Sequence, residues 1–188
     1  MTATKRRPIV LDRDGVINVD VPGQYVCSAE DWIPIDGALS AMGRLTQAGY
    51  DIYVVSNQSG IGRGFFDEAA LAAMHAKLLD GLKGHDGALA GWFYCPHTPD
   101  DNCHCRKPAT GLLEDVAAAA GTELTGIAFV GDKQTDLLAA RAMQMRGMLV
   151  GTGHGEETLS EHAAGINEYF ADLSAAANAL IDGAAVSN

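Results

Sequence analysis

The sequence predicts an α/β protein built on a parallel sheet, and three observations carry that prediction. Short apolar runs alternate with amphipathic stretches along the chain, the pattern of right-handed βαβ units. Several of the runs are continuous and β-rich, which fits strands covered on both faces. With 188 residues, 47% of them hydrophobic, the chain is expected to form one domain over 1–188 that buries roughly 70% of its unfolded surface.

Ile9-Val10-Leu11 is the first strand, and it stops at Asp12-Arg13-Asp14-Gly15, where glycine marks a turn. Leu39, Met42 and Leu45 fall at helical spacing within 38–48, with Gly49 as a stop signal. Asp51 to Val55 is the second strand. Asp67 is placed to cap a helix running to Leu82. Gly91 to Tyr94 is a short strand, and 111–120 is an alanine-rich helix. Ile127 to Val130 is a buried strand, followed by a helix over 134–143, a strand over 147–150 and a last helix over 173–181. One helix is expected between Gly15 and the second strand, and one between Ser59 and the cysteine segment. Neither gap holds a separate domain. Trp32, Trp92 and the methionines Met74, Met143, Met145 and Met148 are expected to pack, and His75, His85, His154 and His162 to lie outside the chemistry.

Charge and composition exclude some partners. The net charge of −11 argues against a nucleic-acid surface. No apolar stretch approaches the ~20 residues of a membrane span. The apolar run after the basic Met1 to Arg7 stretch is too short for an export signal. A cytoplasmic monomer acting on a small molecule, with neither nucleic acid nor membrane as partner, is the expectation.

The residues that suggest chemistry follow predicted strands. They are Asp12 and Asp14, the loop Ser56-Asn57-Gln58-Ser59-Gly60, the segment Arg106-Lys107-Pro108, and Gly131-Asp132-Lys133 with Asp136. In a parallel sheet such ends share one edge. Two crowded carboxylates repel unless a cation neutralises them or one takes a proton. A carboxylate can attack phosphorus, Mg²⁺ suits carboxylate and carbonyl oxygens, and lysine and hydroxyl donors can hold phosphoryl oxygens. Arg13, Arg63, Arg106, Lys107 and Lys133 all fall in these loops. Arg106 is the candidate for holding a second phosphate, because its guanidinium fork matches phosphate oxygens.

Three of the four cysteines cluster. Cys95-Pro96-His97 and Cys103-His104-Cys105 offer three thiols and an imidazole with the spacing of a tetrahedral zinc site. Cys95, His97, Cys103 and Cys105 are the expected ligands, with His104 a bystander. Four protein ligands leave no open position, so that zinc is structural and pins the loop carrying Arg106 and Lys107. Cys27 stands apart as a plain thiol.

The ordered set resembles the haloacid dehalogenase (HAD) superfamily of phosphohydrolases over nearly the whole chain. Leu11 to Gly15, Ser56, Lys107, and Gly131-Asp132 with Asp136 match its four motifs. The resemblance implies a Rossmann-like parallel sheet with helices on both faces, a zinc-binding loop and no large cap domain. It implies that Asp12 is the nucleophile and Asp14 the general acid and then base. It implies Mg²⁺ held by Asp12, the Asp14 backbone carbonyl and Asp132, with Ser56 and Lys107 stabilising the transferring phosphoryl group. Asp14 should then start protonated, its pKa raised by its neighbour and by burial.

Within the superfamily, Asp12 to Asn18, Ser56 to Gly64, Cys105 to Pro108 and Gly131 to Lys133 resemble the zinc-binding phosphatases that remove the C7 phosphate of D-glycero-D-manno-heptose 1,7-bisphosphate. That step leads to nucleotide-activated heptose, a lipopolysaccharide precursor. The alternatives are the related histidinol-phosphate phosphatases and a non-catalytic zinc scaffold that binds a phospholigand. The resemblance implies substrate contacts at Asp20, Gly23, Tyr25, Asn57, Gln58, Ser59, Arg106 and Lys133. The chain departs from the pattern at Val16, where threonine is common. It departs again at Asp20 to Tyr25, which is longer than the usual loop and lacks its histidine.

Overall fold

A computed structural model describes residues 6–20 and 23–186. In chain order the elements are β1 (Arg7–Leu11), α1 (Ala38–Gln47), β2 (Tyr50–Asn57), α2 (Ser59–Gly62), α3 (Glu68–Lys83), β3 (Gly91–Cys95), α4 (Gly111–Ala120), β4 (Ala128–Gly131), α5 (Gln134–Ala142), β5 (Arg146–Val150), α6 (Gly155–His162), β6 (Tyr169–Phe170) and α7 (Leu173–Val186). The strands form one parallel sheet in the order β3-β2-β1-β4-β5-β6. The order reverses between β1 and β4, and open α/β sheets form a crevice at the carboxyl ends of such a pair.

Side-chain alternation along the strands divides the core into two layers. Ile9, Leu11, Ile52, Val54, Ala128 and Val130 point to one face, which α1, α3 and α7 cover with Met42, Leu45, Met74, Leu78 and Ala177. Val10, Tyr53, Val55 and Phe129 point to the other face and meet Leu112, Leu113 and Val116 of α4 and Ala139 and Ala140 of α5. Trp32 is buried in the first layer, and Trp92 stacks on His75 with ring centroids 4.3 Å apart.

Every predicted strand and helix forms, with ends displaced by a few residues, most at the C-terminus of α7. Gly49 follows α1 with φ +86, and the Asp67 carboxylate accepts the Ala70 N–H at 2.8 Å to cap α3. The additions are short. The single turn of α2 precedes α3, so two helices fill a gap expected to hold one. Helix α6 and the two-residue β6 were not predicted. The described part of the loop between β1 and α1 contains no helix, and no cap domain interrupts the sheet among the described residues. Val21 and Pro22 of the Asp20–Tyr25 segment, and Met1 to Lys5 of the basic stretch, lie outside the described residues. No described helix is long and apolar enough to cross a membrane.

Candidate active site

The crevice between β1 and β4 brings Asp12 and Asp132 together. Room for this contact comes from two glycines. Gly15 (φ +85) and Gly153 (φ +60) press against the Asp132 carboxylate and each other, where any Cβ would collide. The loop between β5 and α6 then clasps Asp132. The His154 N–H donates to Oδ2 at 2.8 Å, and the Thr158 hydroxyl donates to the Asp132 carbonyl at 2.9 Å. Thr152 ties the same loop to the Gly15 carbonyl at 2.6 Å. Oδ1 of Asp132 is buried and has no hydrogen-bond partner.

Lys107 lies opposite, almost fully buried. Its ammonium sits 2.7 Å from Asp12 Oδ1, 2.7 Å from Asp136 Oδ1 and 3.1 Å from the Val55 carbonyl. Asp136 also accepts the Lys133 N–H at 3.1 Å through Oδ2, so it caps α5 while it holds the lysine. The carboxylates of Asp12, Asp132 and Asp136 each place an oxygen within 4.8 Å of the others. Burial raises the pKa of Asp12 to about 6 against the pull of Lys107. Burial likewise pushes Asp132 well above the ordinary range, with Asp12 and Asp136 adding to the effect and Lys133 opposing it. Lys107 is desolvated too, yet its two carboxylate partners hold it charged, above its usual value. Of the three clustered carboxylates only Asp12 and Asp136 touch the Lys107 ammonium, so the cluster carries an excess of buried negative charge, which is costly unless a further cation is present. The unpartnered Asp132 oxygen and the all-oxygen donor set fit Mg²⁺.

Asp14 departs from expectation. The sequence reading raised its pKa, whereas the structure lowers it. Burial does raise it, but Arg13 folds back on the carboxylate through Nε (3.0 Å) and NH2 (2.7 Å), and Asn18 and Gln58 donate at 2.9 and 2.7 Å. Together these donors outweigh desolvation. Arg13 is itself only 1% exposed. It also reaches Gln58 Oε1 at 3.2 Å and lies over the Trp92 ring. Ser56 is buried beside this network, its hydroxyl 3.4 Å from Asp14 Oδ2 and 2.5 Å from Gln58 Nε2.

An open cavity of about 350 Å³ lies at this edge of the sheet, lined by Arg13, Asp14, Asp20, Gly23, Gln24, Tyr25, Val26, Asn57, Gln58, Ser59, Arg106, Lys133, Thr135 and His154. All eight residues predicted to touch substrate are among them. Asp12, Ser56, Lys107 and Asp132 are buried and do not line it. Tyr25 reaches Ser59 at 3.4 Å and packs edge-on against Phe65. Lys133 is paired with Asp20 at 2.7 Å, and its pKa rises, burial being outweighed by Asp132, Asp12 and Asp20. Arg63 is exposed and outside the cavity. A larger hollow of about 790 Å³, between α5 and residues 161–167, contains none of the predicted residues.

The thiol cluster adjoins the cavity through Arg106, whose guanidinium donates to the His97 carbonyl at 3.2 Å. Cys105 Sγ lies 3.1 Å from Cys95 Sγ, 3.4 Å from Cys103 Sγ and 3.2 Å from His97 Nδ1. Cys95 Sγ lies 3.5 Å from both Cys103 Sγ and His97 Nδ1. Ligands about 2.0–2.3 Å from one tetrahedral zinc stand on the order of 3.5 Å apart, so the set fits a single ion. Burial drives the Cys95 thiol up. Cys103 is lowered to about 7, against burial, by bonds from Cys105 and the Arg106 backbone. His104 turns away and pairs with Glu114 at 2.9 Å.

Residues 104–176 match the HAD-hydrolase-like family. A heptose-1,7-bisphosphate 7-phosphatase from Pseudomonas aeruginosa, named for the β anomer, is 46% identical over 94% of this chain and 98% of its own length. The chain belongs to the heptose 1,7-bisphosphate 7-phosphatase family of HAD phosphatases. Its counterpart in Neisseria meningitidis is 44% identical over 86% of both chains. The D,D-heptose 1,7-bisphosphate phosphatase of Bordetella bronchiseptica, solved with magnesium and phosphate, superposes with a TM-score of 0.90 at 41% identity, covering 94% of this chain and 99% of that one. The Burkholderia thailandensis enzyme superposes with a TM-score of 0.73 at 35% identity over the same shares.

In this heptose-phosphatase chain the sequence reading left Thr135 and His154 out of the site, and placed Asp136 in the fourth motif without giving it a role. Asp136 sits at a helix start, where an acidic residue is unremarkable. His154 belongs to the unpredicted β5–α6 turn; its ring lies 3.5 Å from Asp20 and 3.1 Å from Glu157.

Proposed function

We propose that this chain hydrolyses the C7 phosphate of D-glycero-D-manno-heptose 1,7-bisphosphate and retains the one at C1. The observation that carries the reading is the Lys107 ammonium held between Asp12 and Asp136 where the strand order reverses, beside the unpartnered oxygen of Asp132. Such a site offers an anionic nucleophile and a fixed cation at one point, in a protein whose relatives carry that activity in their names.

Asp12 is the nucleophile. Both the Lys107 ammonium and the Arg13 N–H bind its Oδ1, which orients the other oxygen for attack. Attack forms the Asp12–phosphorus bond and breaks the bond from phosphorus to the C7 oxygen, and that oxygen takes a proton from Asp14. A water then gives a proton back to Asp14 and attacks phosphorus. The Asp12–phosphorus bond breaks and inorganic phosphate leaves. Arg13, Asn18 and Gln58 keep Asp14 ionised in the free protein, the form that serves the second step. For the first step Asp14 must take up a proton when the anionic substrate arrives. Ser56 and Lys107 hold the transferring oxygens. Mg²⁺, held by Asp12, the Asp14 carbonyl and Asp132, would supply charge neutralisation between the nucleophile and the phosphate. Zn²⁺ on Cys95, His97, Cys103 and Cys105 would fix the loop that presents Arg106 and Lys107.

Arg106, half-buried at the cavity rim and tethered to the thiol loop, is suited to the retained C1 phosphate. The rest of the sugar fits between Asp20, Tyr25, Gln58, Ser59 and Lys133. The test is phosphate release from the β anomer of the bisphosphate with Mg²⁺, followed by NMR to show which carbon is dephosphorylated. Loss from C7 is expected. Loss from C1, or a higher kcat/KM on histidinol phosphate, overturns the assignment.

A further inference from the structure

Asn57 is the last residue of β2, next to Ser56. Its side chain forms two bonds with one residue on another loop. Nδ2 donates to the Lys107 carbonyl at 3.1 Å, and Oδ1 accepts the Lys107 N–H at 3.0 Å. Two bonds from one planar amide fix both the position and the orientation of the backbone they hold. The constraint matters because lysine is a point charge on a flexible four-carbon stem. Nζ can stand 2.7 Å from both Asp12 and Asp136 only if its Cα is correctly placed. Upstream, the segment is tethered through Cys105 and through Arg106 to the His97 carbonyl. Asn57 supplies an independent tether at Lys107 itself, from a strand of the sheet.

We propose that Asn57 is a positioning residue that acts through Lys107 and makes no contact with the substrate. The inference rests on the phosphatase reading for its kinetic consequence, but not for the clamp itself. It replaces the substrate contact implied by the family resemblance, which is a distinct alternative because Asn57 also borders the cavity.

The two roles separate in steady-state kinetics of the metal-loaded protein. Asn57→Ala is expected to lower kcat about 10- to 100-fold, the scale of an ångström-sized misplacement of a reacting group, while KM changes less than about twofold. In a Lys107→Met background the same substitution is expected to cost less than about threefold, because residues that act through one another are not additive. A tenfold rise in KM with kcat unchanged, or an undiminished loss in the Lys107→Met background, overturns the proposal. Asn57→Asp keeps the acceptor for the Lys107 N–H and is the variant to use if alanine does not fold. It should have an intermediate kcat, and a wild-type value overturns the proposal. A readout that needs no substrate is acetylation of Lys107 by acetic anhydride, followed by mass spectrometry. The wild-type lysine should be protected and the Asn57→Ala lysine at least about fivefold more reactive, in line with a loosened buried group; unchanged protection overturns the clamp. Failure of the wild type to release phosphate from the heptose bisphosphate would sink the phosphatase reading alone, and the labelling would still decide the clamp.

Discussion

Two clusters of groups that repel one another lie at the same edge of the sheet, and they are assembled in opposite ways. The thiol cluster draws Cys95, His97, Cys103 and Cys105 from one short stretch, the end of β3 and the loop after it. The carboxylate cluster draws Asp12, Asp132 and Asp136 from two separated turns, and Lys107 from a third. The first is a local object whose ligands are close whatever the sheet does. The second exists only when β1 and β4 pair and the thiol loop delivers Lys107. A site built from neighbours is stabilised by its metal, whereas a site built across strands is held by the fold and strained by its own charge.

The most severe way to break the distributed cluster is Asp12→Asn. It removes the nucleophile while nearly preserving shape. Phosphate release is expected to fall at least about 10³-fold, with an unchanged circular dichroism spectrum. Retained turnover would remove Asp12 from the chemistry. The matching break in the local cluster is Cys105→Ser. Zinc per chain, by atomic absorption, should fall well below one, with a lower Tm. Because Lys107 lies two residues on, kcat should drop about 10- to 100-fold. Zinc loss with full activity would show that the loop holds Lys107 unaided.

A third test uses pH to sharpen the contrast. In the Mg²⁺-free protein Asp12 titrates at about 6, above its ordinary value of 3.8. The folded state then keeps a proton that the unfolded state has lost, so stability should decline as pH rises from about 4 to 6 and level off above that. Asp14 acts in the opposite sense, with stability lost only as pH falls below its ordinary value. Mg²⁺ should relieve the Asp12 and Asp132 strain where the carboxylates are ionised. The rise in Tm on adding Mg²⁺ should therefore be larger at pH 7 than at pH 4.5, by about 5 °C or more, given roughly 2–4 °C per kcal/mol at this size. An equal rise at both values would mean that the cluster does not take the ion. The smallest effect is expected outside both clusters. Asp67→Ala removes the cap of α3 and should cost about 1 kcal/mol without changing kcat; a change in kcat would tie α3 to the site.

Legibility in the sequence followed the same division. Cys95, His97, Cys103 and Cys105 could be read from spacing because the chain itself keeps them close. Asp12, Ser56, Lys107 and Asp132 could be assigned to one edge because each follows a strand or opens a helix. The clasp on Asp132 was not legible. Thr152, His154 and Thr158 belong to a turn and a short, mostly polar helix of eight residues, beside a strand of two residues. Arg13 was legible only as one of the cations in the active loops, since nothing in Asp-Arg-Asp says that the guanidinium turns inward. For that reason the direction of the Asp14 shift was misread. Asn57 read as a loop residue and, by resemblance, a substrate contact; its bonds to Lys107 were not legible because that partner is 50 residues away.

By itself the sequence determined the alternation of strands and helices, and through it which turns share an edge, because apolar periodicity and turn residues act over a few neighbours. Only the tertiary structure decided which charge meets which. Arg13 took Asp14, Lys107 took Asp12 and Asp136, and one oxygen of Asp132 was left for a cation. The reason is that ion pairing and desolvation depend on separations of a few ångströms and on burial, and both are set by packing between segments far apart in the chain.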